Sequence, residues 1–408
     1  MKSDFGFFLL IFFTISMSVG LFYNIFGYTL SIFVFALYVF LNKNLSIKKS
    51  EMLPLACYVI FLVVKSLDVS HYVGISDYFS PKTFVINMLE LVIVSLFVFL
   101  DNNTYGNEKK VCAYLFLVLY HLTIIISIGL LASRGTELYR SRGNEGGILL
   151  APQNFTIISA FISMIFVYRF LQYKRHRLLC IGIVLVNFIY VVMSSYTTQL
   201  LFFAFGIGLV IFNTIVKKKS TRIFLIVLLI LLVILIQTQL VSLLTFLNES
   251  VFASNASVSD RINEIIKFLS EGNITGTDFA KRVELISISL KSFAQNPILG
   301  IKYSNYNSIS GGITIGSHCQ WADDLGRYGI IGIIIWTVLL RSIWKKIFSH
   351  NNTSIIPVNS SIFLYILVYG FFNPVISEGT VLILFIIQIV QQANNTEVDL
   401  LENIIYEE

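Results

Sequence analysis

Charge is what this chain has least of: 13% of its 408 residues are Asp, Glu, Lys or Arg, against 56% hydrophobic. That balance leaves too little polar surface to cover a soluble globule of this size, so the solvent for most of the chain is lipid. Cysteine is scarce as well. The four, at 57, 112, 180 and 319, lack the short spacing that zinc or a redox pair requires. Three lie inside apolar runs and Cys319 has no obvious partner, so neither disulfide nor metal cluster is indicated. No A-x-A-like cleavage site follows the apolar run 5–20, and a further apolar run comes soon after, so it reads as a retained helix rather than a removed leader. Repeats of fixed period are missing, as are low-complexity tails beyond the short acidic stretch EVDLLENIIYEE.

What is present is a succession of apolar runs. A spanning helix takes about 20 mostly apolar residues. Twelve runs approach that length: 5–21, 25–41, 52–67, 82–100, 111–132, 152–171, 179–193, 199–216, 223–247, 327–345, 358–372 and 379–391. The expected fold is all-α, a polytopic transmembrane helical bundle with about 12 spans.

The net charge of +6 then reads as orientation rather than as affinity for nucleic acid. Lys43, Lys48 and Lys49; Lys109 and Lys110; Lys174, Arg175 and Arg177; Lys217, Lys218, Lys219 and Arg222; and Arg341, Lys345 and Lys346 occupy every second loop, which places those loops and both termini in the cytoplasm. The opposite short loops 68–81, 194–198 and 373–378 hold no Lys or Arg. Two outer loops depart from this rule. Loop 133–151 carries Arg134, Arg140 and Arg142, and loop 248–326 carries Arg261, Lys267, Lys281, Arg282, Lys291 and Lys302. The chain thus divides into spans one to nine over 1–247, a large outer loop over 248–326, and three last spans with an acidic cytoplasmic tail over 327–408.

The long loop has internal order. RINEIIKFL (261–269) and KRVELISISLKSF (281–293) space Ile262, Ile265, Ile266 and Leu269, then Leu285, Ile286, Ser289 and Phe293, three and four apart. This spacing predicts two short amphipathic helices on the bilayer or over the bundle. Asn296-Pro297 ends the second, because the residue before proline is driven out of helical geometry. The stretch 303–317 is a polar loop with three glycines.

Orientation sorts the five histidines. His176 and His350 lie in basic cytoplasmic loops and read as solvated surface, and His121 inside a span reads as a packed, hydrogen-bonded helix residue. His71 shares a small outer loop with Asp68 and Asp77. His318 follows the glycine-rich loop, precedes a span, and shares its side of the membrane with the outer arginines. Imidazole takes a proton near neutral pH without large tuning, and guanidinium grips phosphate oxygens bidentately while staying charged. Asp323-Asp324 at a helix entrance reads as a cap rather than as a divalent metal site. Tyr303, Tyr306 and Trp321 read most plainly as membrane-belt aromatics, with stacking on a ligand ring as the alternative.

Arg282, then KSFAQNPILGIKY, then Gly316-Ser317-His318, then LGRYGIIGIIIW resembles the corresponding segment of bacterial O-antigen polymerases and O-antigen ligases. Their pattern runs arginine, amphipathic helix, N-P-x-x-G, variable loop, histidine and a helix containing G-x-x-G. RSRGNEGGILLAPQNF resembles their earlier outer loop, with Gln153 intervening in the P-N step. The resemblance covers mainly 140–155 and 282–335, and the two basic loops are the third and fifth outer loops, as in the family's polymerases. Two departures stand out. The arginine-x15-glycine spacing of some members is not met from any candidate arginine, and Cys319 stands where members commonly have asparagine.

The resemblance implies a metal-independent, cofactor-free glycosyltransferase of the bacterial inner membrane, active on the periplasmic face. Its substrate would be an undecaprenyl-diphosphate-linked oligosaccharide, its surroundings membrane lipid, and a polysaccharide chain-length regulator a possible partner. The glycan passes to the non-reducing end of another lipid-linked repeat unit, with inversion. His318 is the implied base; Arg282 and Arg142 are the implied diphosphate ligands, with Arg140, Arg134 and Arg261 as further candidates. The ligase alternative passes finished polymer to a lipid A core. A flippase of the same lipid-linked units is the alternative of another class, disfavoured because mid-span charges are few, Glu90 being the plainest, and no internal repeat is visible.

Overall fold

The computed structural model describes residues 106–134, 155–174, 176–194, 197–216, 237–250, 256–271, 278–301, 315–316, 318–348, 356–373 and 375, with Ala56, Ile60, Lys218, Ser220, Thr221 and Phe224 as isolated positions. Among these residues the regular structure is entirely helical: α1 Gly106–Arg134, α2 Phe155–Gln172, α3 Arg177–Met193, α4 Thr197–Ile215, α5 Gln237–Ser250, α6 Ala256–Glu271, α7 Asp278–Gln295, α8 Gln320–Phe348 and α9 Ile356–Tyr369. Three stretches are long and apolar enough to cross a membrane, Tyr114–Ser133 in α1, Phe155–Gln172 and Thr198–Ile215, and they coincide with expected spans; α3 and α9 are apolar but shorter. The expected spans at 5–21, 25–41, 82–100 and 379–391, that at 52–67 apart from Ala56 and Ile60, and most of 223–247 lie outside the described residues, as do His71, Glu90 and His350.

α2 is the centre of the bundle. A helix apolar on every side has to be surrounded, and α2 is: twelve consecutive residues from Phe155 to Phe166 are buried. α3, α4 and α9 pack around it, and α1 packs on α3. Gly206 lets α4 close in, since a Cβ there would stand 3.0 Å from the Met164 sulfur and 3.1 Å from the Tyr365 ring. In lipid, apolar helices gain little by hiding from their solvent, so close packing and hydrogen bonds between helices hold them together. Tyr120 on α1 meets Ser159 on α2 (2.7 Å) and donates to the Asn187 Oδ1 on α3 (3.3 Å). Asn213 on α4 donates to Ser361 on α9 (2.8 Å). His121 belongs to this set. Its Nδ1 lies 2.7 Å from the Leu117 carbonyl and its Nε2 3.3 Å from Asn187 Nδ2, as its reading as a packed helix histidine requires.

Both amphipathic helices of the long loop are present, and longer than the periodicity alone marked. On α6, Ile262 is buried, Ile265, Ile266 and Leu269 are half-buried, and Lys267 faces out. On α7, Ser289 and Ser292 are buried, Leu285, Ile286 and Phe293 half-buried, and Lys281, Glu284 and Lys291 exposed. α7 stops at Gln295, immediately before Asn296-Pro297. It packs along α8.

α8 begins at Gln320, seven residues ahead of the expected span start, because Asp323 caps it there: its side chain accepts the Cys319 amide (3.1 Å) while its own amide donates to the Cys319 carbonyl (2.8 Å). α9 ends at Tyr369 rather than 372, where Gly370 begins a turn.

Candidate functional site

α8 is broken near its N-terminal end. Gly329 adopts φ 61° and ψ −167°, a region open in practice only to glycine. The Asn-Pro-Ile-Leu-Gly turn after α7 docks into this break. Ile330 N–H donates to the Pro297 carbonyl (2.8 Å), Ile331 N–H to the Ile298 carbonyl (3.2 Å), and Ile301 N–H to the Gly326 carbonyl (2.9 Å). Backbone groups that the break would leave without helical partners are thereby satisfied. The approach is tight. A Cβ on Gly300, itself at φ +69°, would lie 2.4 Å from the Arg327 carbonyl, and one on Gly329 would lie 2.5 Å from the Ile298 oxygen. The N-P-x-x-G and G-x-x-G elements therefore form one interlocked joint between α7 and α8.

A second joint lies one to two turns away and anchors the histidine segment. The Gly316 amide donates to Ser289 Oγ (2.9 Å), and the Ser289 hydroxyl donates to Asp323 Oδ1 (2.5 Å). The other Asp323 oxygen takes the Cys319 amide. A Cβ on Gly316 would stand 2.1 Å from the Leu285 carbonyl oxygen, so residues 315–316 lie directly on the α7 backbone. His318 sits between these anchored positions with its side chain exposed. A histidine exposed on a held backbone is a group that can exchange a proton with a molecule outside the chain.

The floor beneath is the turn after α9. The Gln320 amide donates to the Gly370 carbonyl (2.8 Å), Gln320 Oε1 accepts the Val375 amide (2.7 Å), and Trp321 Nε1 donates to the Leu367 carbonyl (3.0 Å). Arg282 reaches the same turn from α7, its guanidinium donating to the Phe372 carbonyl at 2.5 Å. The Arg282 side chain and Gln320, two residues after His318, are therefore both bonded to this turn. Below the turn, Gln199 on α4 donates to the Tyr369 hydroxyl, which lies within electrostatic reach of Arg282.

The remaining sequence candidates fare unevenly. Arg140 and Arg142 lie outside the described residues; Arg134 ends α1 and Arg261 lies in α6, and neither side chain is described. Tyr303 and Tyr306 also lie outside, whereas Trp321 is packed against Gly370 as a structural residue. Both oxygens of Asp323 are engaged in the cap and the Ser289 bridge, and Asp324 accepts from Gln320 Nε2 (3.2 Å). Among the described residues no three His, Cys, Asp or Glu side chains group as a metal site. Burial pushes the Cys319 thiol up from its ordinary pKa; the Ala322 amide opposes this, and the nearby Asp323 and Asp324 charges reinforce it. A thiol so placed stays protonated at neutral pH and is a packing group rather than a nucleophile.

Three residues that carry the site were not singled out by sequence: Gln199, Gln320 and Tyr369. Ser289 had a visible signal, a hydroxyl on the apolar stripe of α7. Compared with protein-family models and with curated proteins, the chain matches none.

Proposed function

We propose that the protein is a glycosyltransferase that uses a polyprenyl-diphosphate-linked glycan at the periplasmic face of the inner membrane, in the manner of an O-antigen polymerase. What supports the reading is that the Arg282 side chain and the backbone two residues after the exposed His318 are anchored on the same turn, while the N-P-x-x-G and G-x-x-G elements on which the resemblance rests lock α7 to α8. In this reading His318 takes the proton from the acceptor sugar hydroxyl. The freed oxygen attacks the anomeric carbon, and the bond from that carbon to the carrier diphosphate breaks with its electron pair leaving on phosphate. Arg282 and Arg142 stabilise that charge, with Arg140, Arg134 and Arg261 as further ligands. One attack from the face opposite the leaving group inverts the anomeric centre.

The test is complementation. A deletion strain receives wild type, His318→Ala, Arg282→Ala or Arg142→Ala at matched membrane levels, and the surface polysaccharide is resolved as a ladder. Loss of one preorganised charge-stabilising donor costs about 2.7–4 kcal/mol, roughly a 10²–10³-fold drop in turnover, so the Arg282 variant should give single repeat units on core. The His318 variant should do the same. Unattached polymer accumulating on the carrier would identify a ligase instead. A ladder that persists in the deletion strain would remove the reading altogether.

A further inference from the structure

A second feature lies at the opposite end of the bundle and is independent of the transferase reading. Between α2, α3 and α4 runs a groove of about 310 Å³ whose lining is wholly apolar, with Val167 and Phe170 on one wall, Cys180 and Val184 on another, and Phe188 against Phe203 (ring centroids 5.9 Å) closing the far end. It opens along the outer side of α3, where Leu185 is 53% and Phe188 42% exposed. A groove open to the lipid-facing side of a membrane helix meets acyl chains.

Its mouth is basic. The Arg177 guanidinium lies over the ring of Phe170, 5.4 Å from its centroid, so a cation sits directly on a wall of the groove. Arg169 lies over Phe166 at 5.8 Å. Lys174 is exposed in the turn between α2 and α3, and Lys218 lies just beyond the end of α4, which returns to the same end of the bundle. Nothing nearby in the chain offsets these charges: between Glu145 and Glu249 the sequence contains no Asp or Glu, while its cations fall in the two clusters 169–177 and 217–222. An apolar slot capped by cations, on a stretch of chain that holds no acidic residue, matches a molecule with a hydrocarbon tail and an anionic head.

We propose that this groove holds an acyl chain of an anionic phospholipid from the leaflet at the basic end of the bundle, its phosphate lying against Arg177, Arg169 and Lys174. By the positive-inside reading that leaflet is the cytoplasmic one.

Native mass spectrometry of the full chain, released from micelles containing either dioleoyl phosphatidylglycerol or dioleoyl phosphatidylcholine, tests this. With cations near the surface each favouring an anionic lipid, the first phosphatidylglycerol should bind about tenfold more tightly than the first phosphatidylcholine. Arg177→Gln combined with Lys174→Gln, both exposed positions, should cut that preference to under about threefold. Val184→Trp, which fills the groove and leaves the charges, should lower phosphatidylglycerol retention. Equal binding of the two lipids by wild type needs no variant to interpret and overturns the proposal. So does full preference retained by the double charge variant, or by a folded Val184→Trp protein, which would make the effect one of surface charge alone. A two-chain species abolished by Val184→Trp would place a second copy in the groove and also overturn it.

Discussion

Ser289 joins three segments through one hydroxyl: it accepts from Gly316, donates to Asp323, and sits on α7. Replacing it with alanine leaves a buried amide without its acceptor and removes a donor from a buried carboxylate. A hydrogen bond to a charged group is worth about 1.5–3 kcal/mol. Ser289→Ala should therefore destabilise the purified protein by about that amount in denaturant unfolding, and a loss below about 0.5 kcal/mol would mean the bridge does not hold the segment. Ser287, exposed on the same helix, is the control and should be neutral. At this scale the cap role of Asp323 was legible in the sequence, because capping chemistry is local. Gln199 and Tyr369 were not legible there, since their meeting depends on α4 and α9 packing side by side across 170 residues of sequence.

Among the helices, the informative one is α8. Its G-x-x-G element was visible in the sequence, but a break in the helix was not legible, because apolar periodicity continues across Gly329 and only the docked turn makes the break stable. Gly329→Ala would place a side chain in a glycine-only backbone region, at a cost of about 1–3 kcal/mol, and press a Cβ against the Ile298 oxygen. The expected outcome is loss of folded protein, read as a lower Tm in detergent. Gly208→Ala on α4 meets nothing within 4 Å and should be neutral or stabilising by up to about 1 kcal/mol. Equal behaviour of the two variants would exclude the interlocked joint. The amphipathic helices α6 and α7 were readable from spacing, and the end of α7 from proline; the early start of α8 was not, since it depends on a side-chain cap ahead of the apolar run.

Taken whole, the molecule sorts its polarity by end. The turn 370–375, the histidine segment and Arg282 lie at one end of the bundle, and Lys174, Arg177 and Lys218 at the other. The helical class and the three helices long and apolar enough to cross a membrane were legible from composition and run length, since lipid imposes both. If the basic end is cytoplasmic, single-cysteine versions lacking the four native thiols should label oppositely in intact cells. Lys291→Cys should react with an impermeant maleimide from outside, and Lys218→Cys only after the membrane is opened. The reverse pattern would invert the topology and with it the proposed side of action.

The turn at 370–375 also has a consequence in time. Arg282 binds a carbonyl 90 positions later, and Gln320 binds an amide 55 positions later. At a synthesis rate of about 5–20 residues per second, roughly 5–20 seconds separate the making of the arginine from the making of its acceptor. Throughout that interval α7 exists without its floor, and for the later part of it the histidine segment does too, so a nascent chain cut short before Gly370 holds Arg282 and His318 without the turn that anchors them.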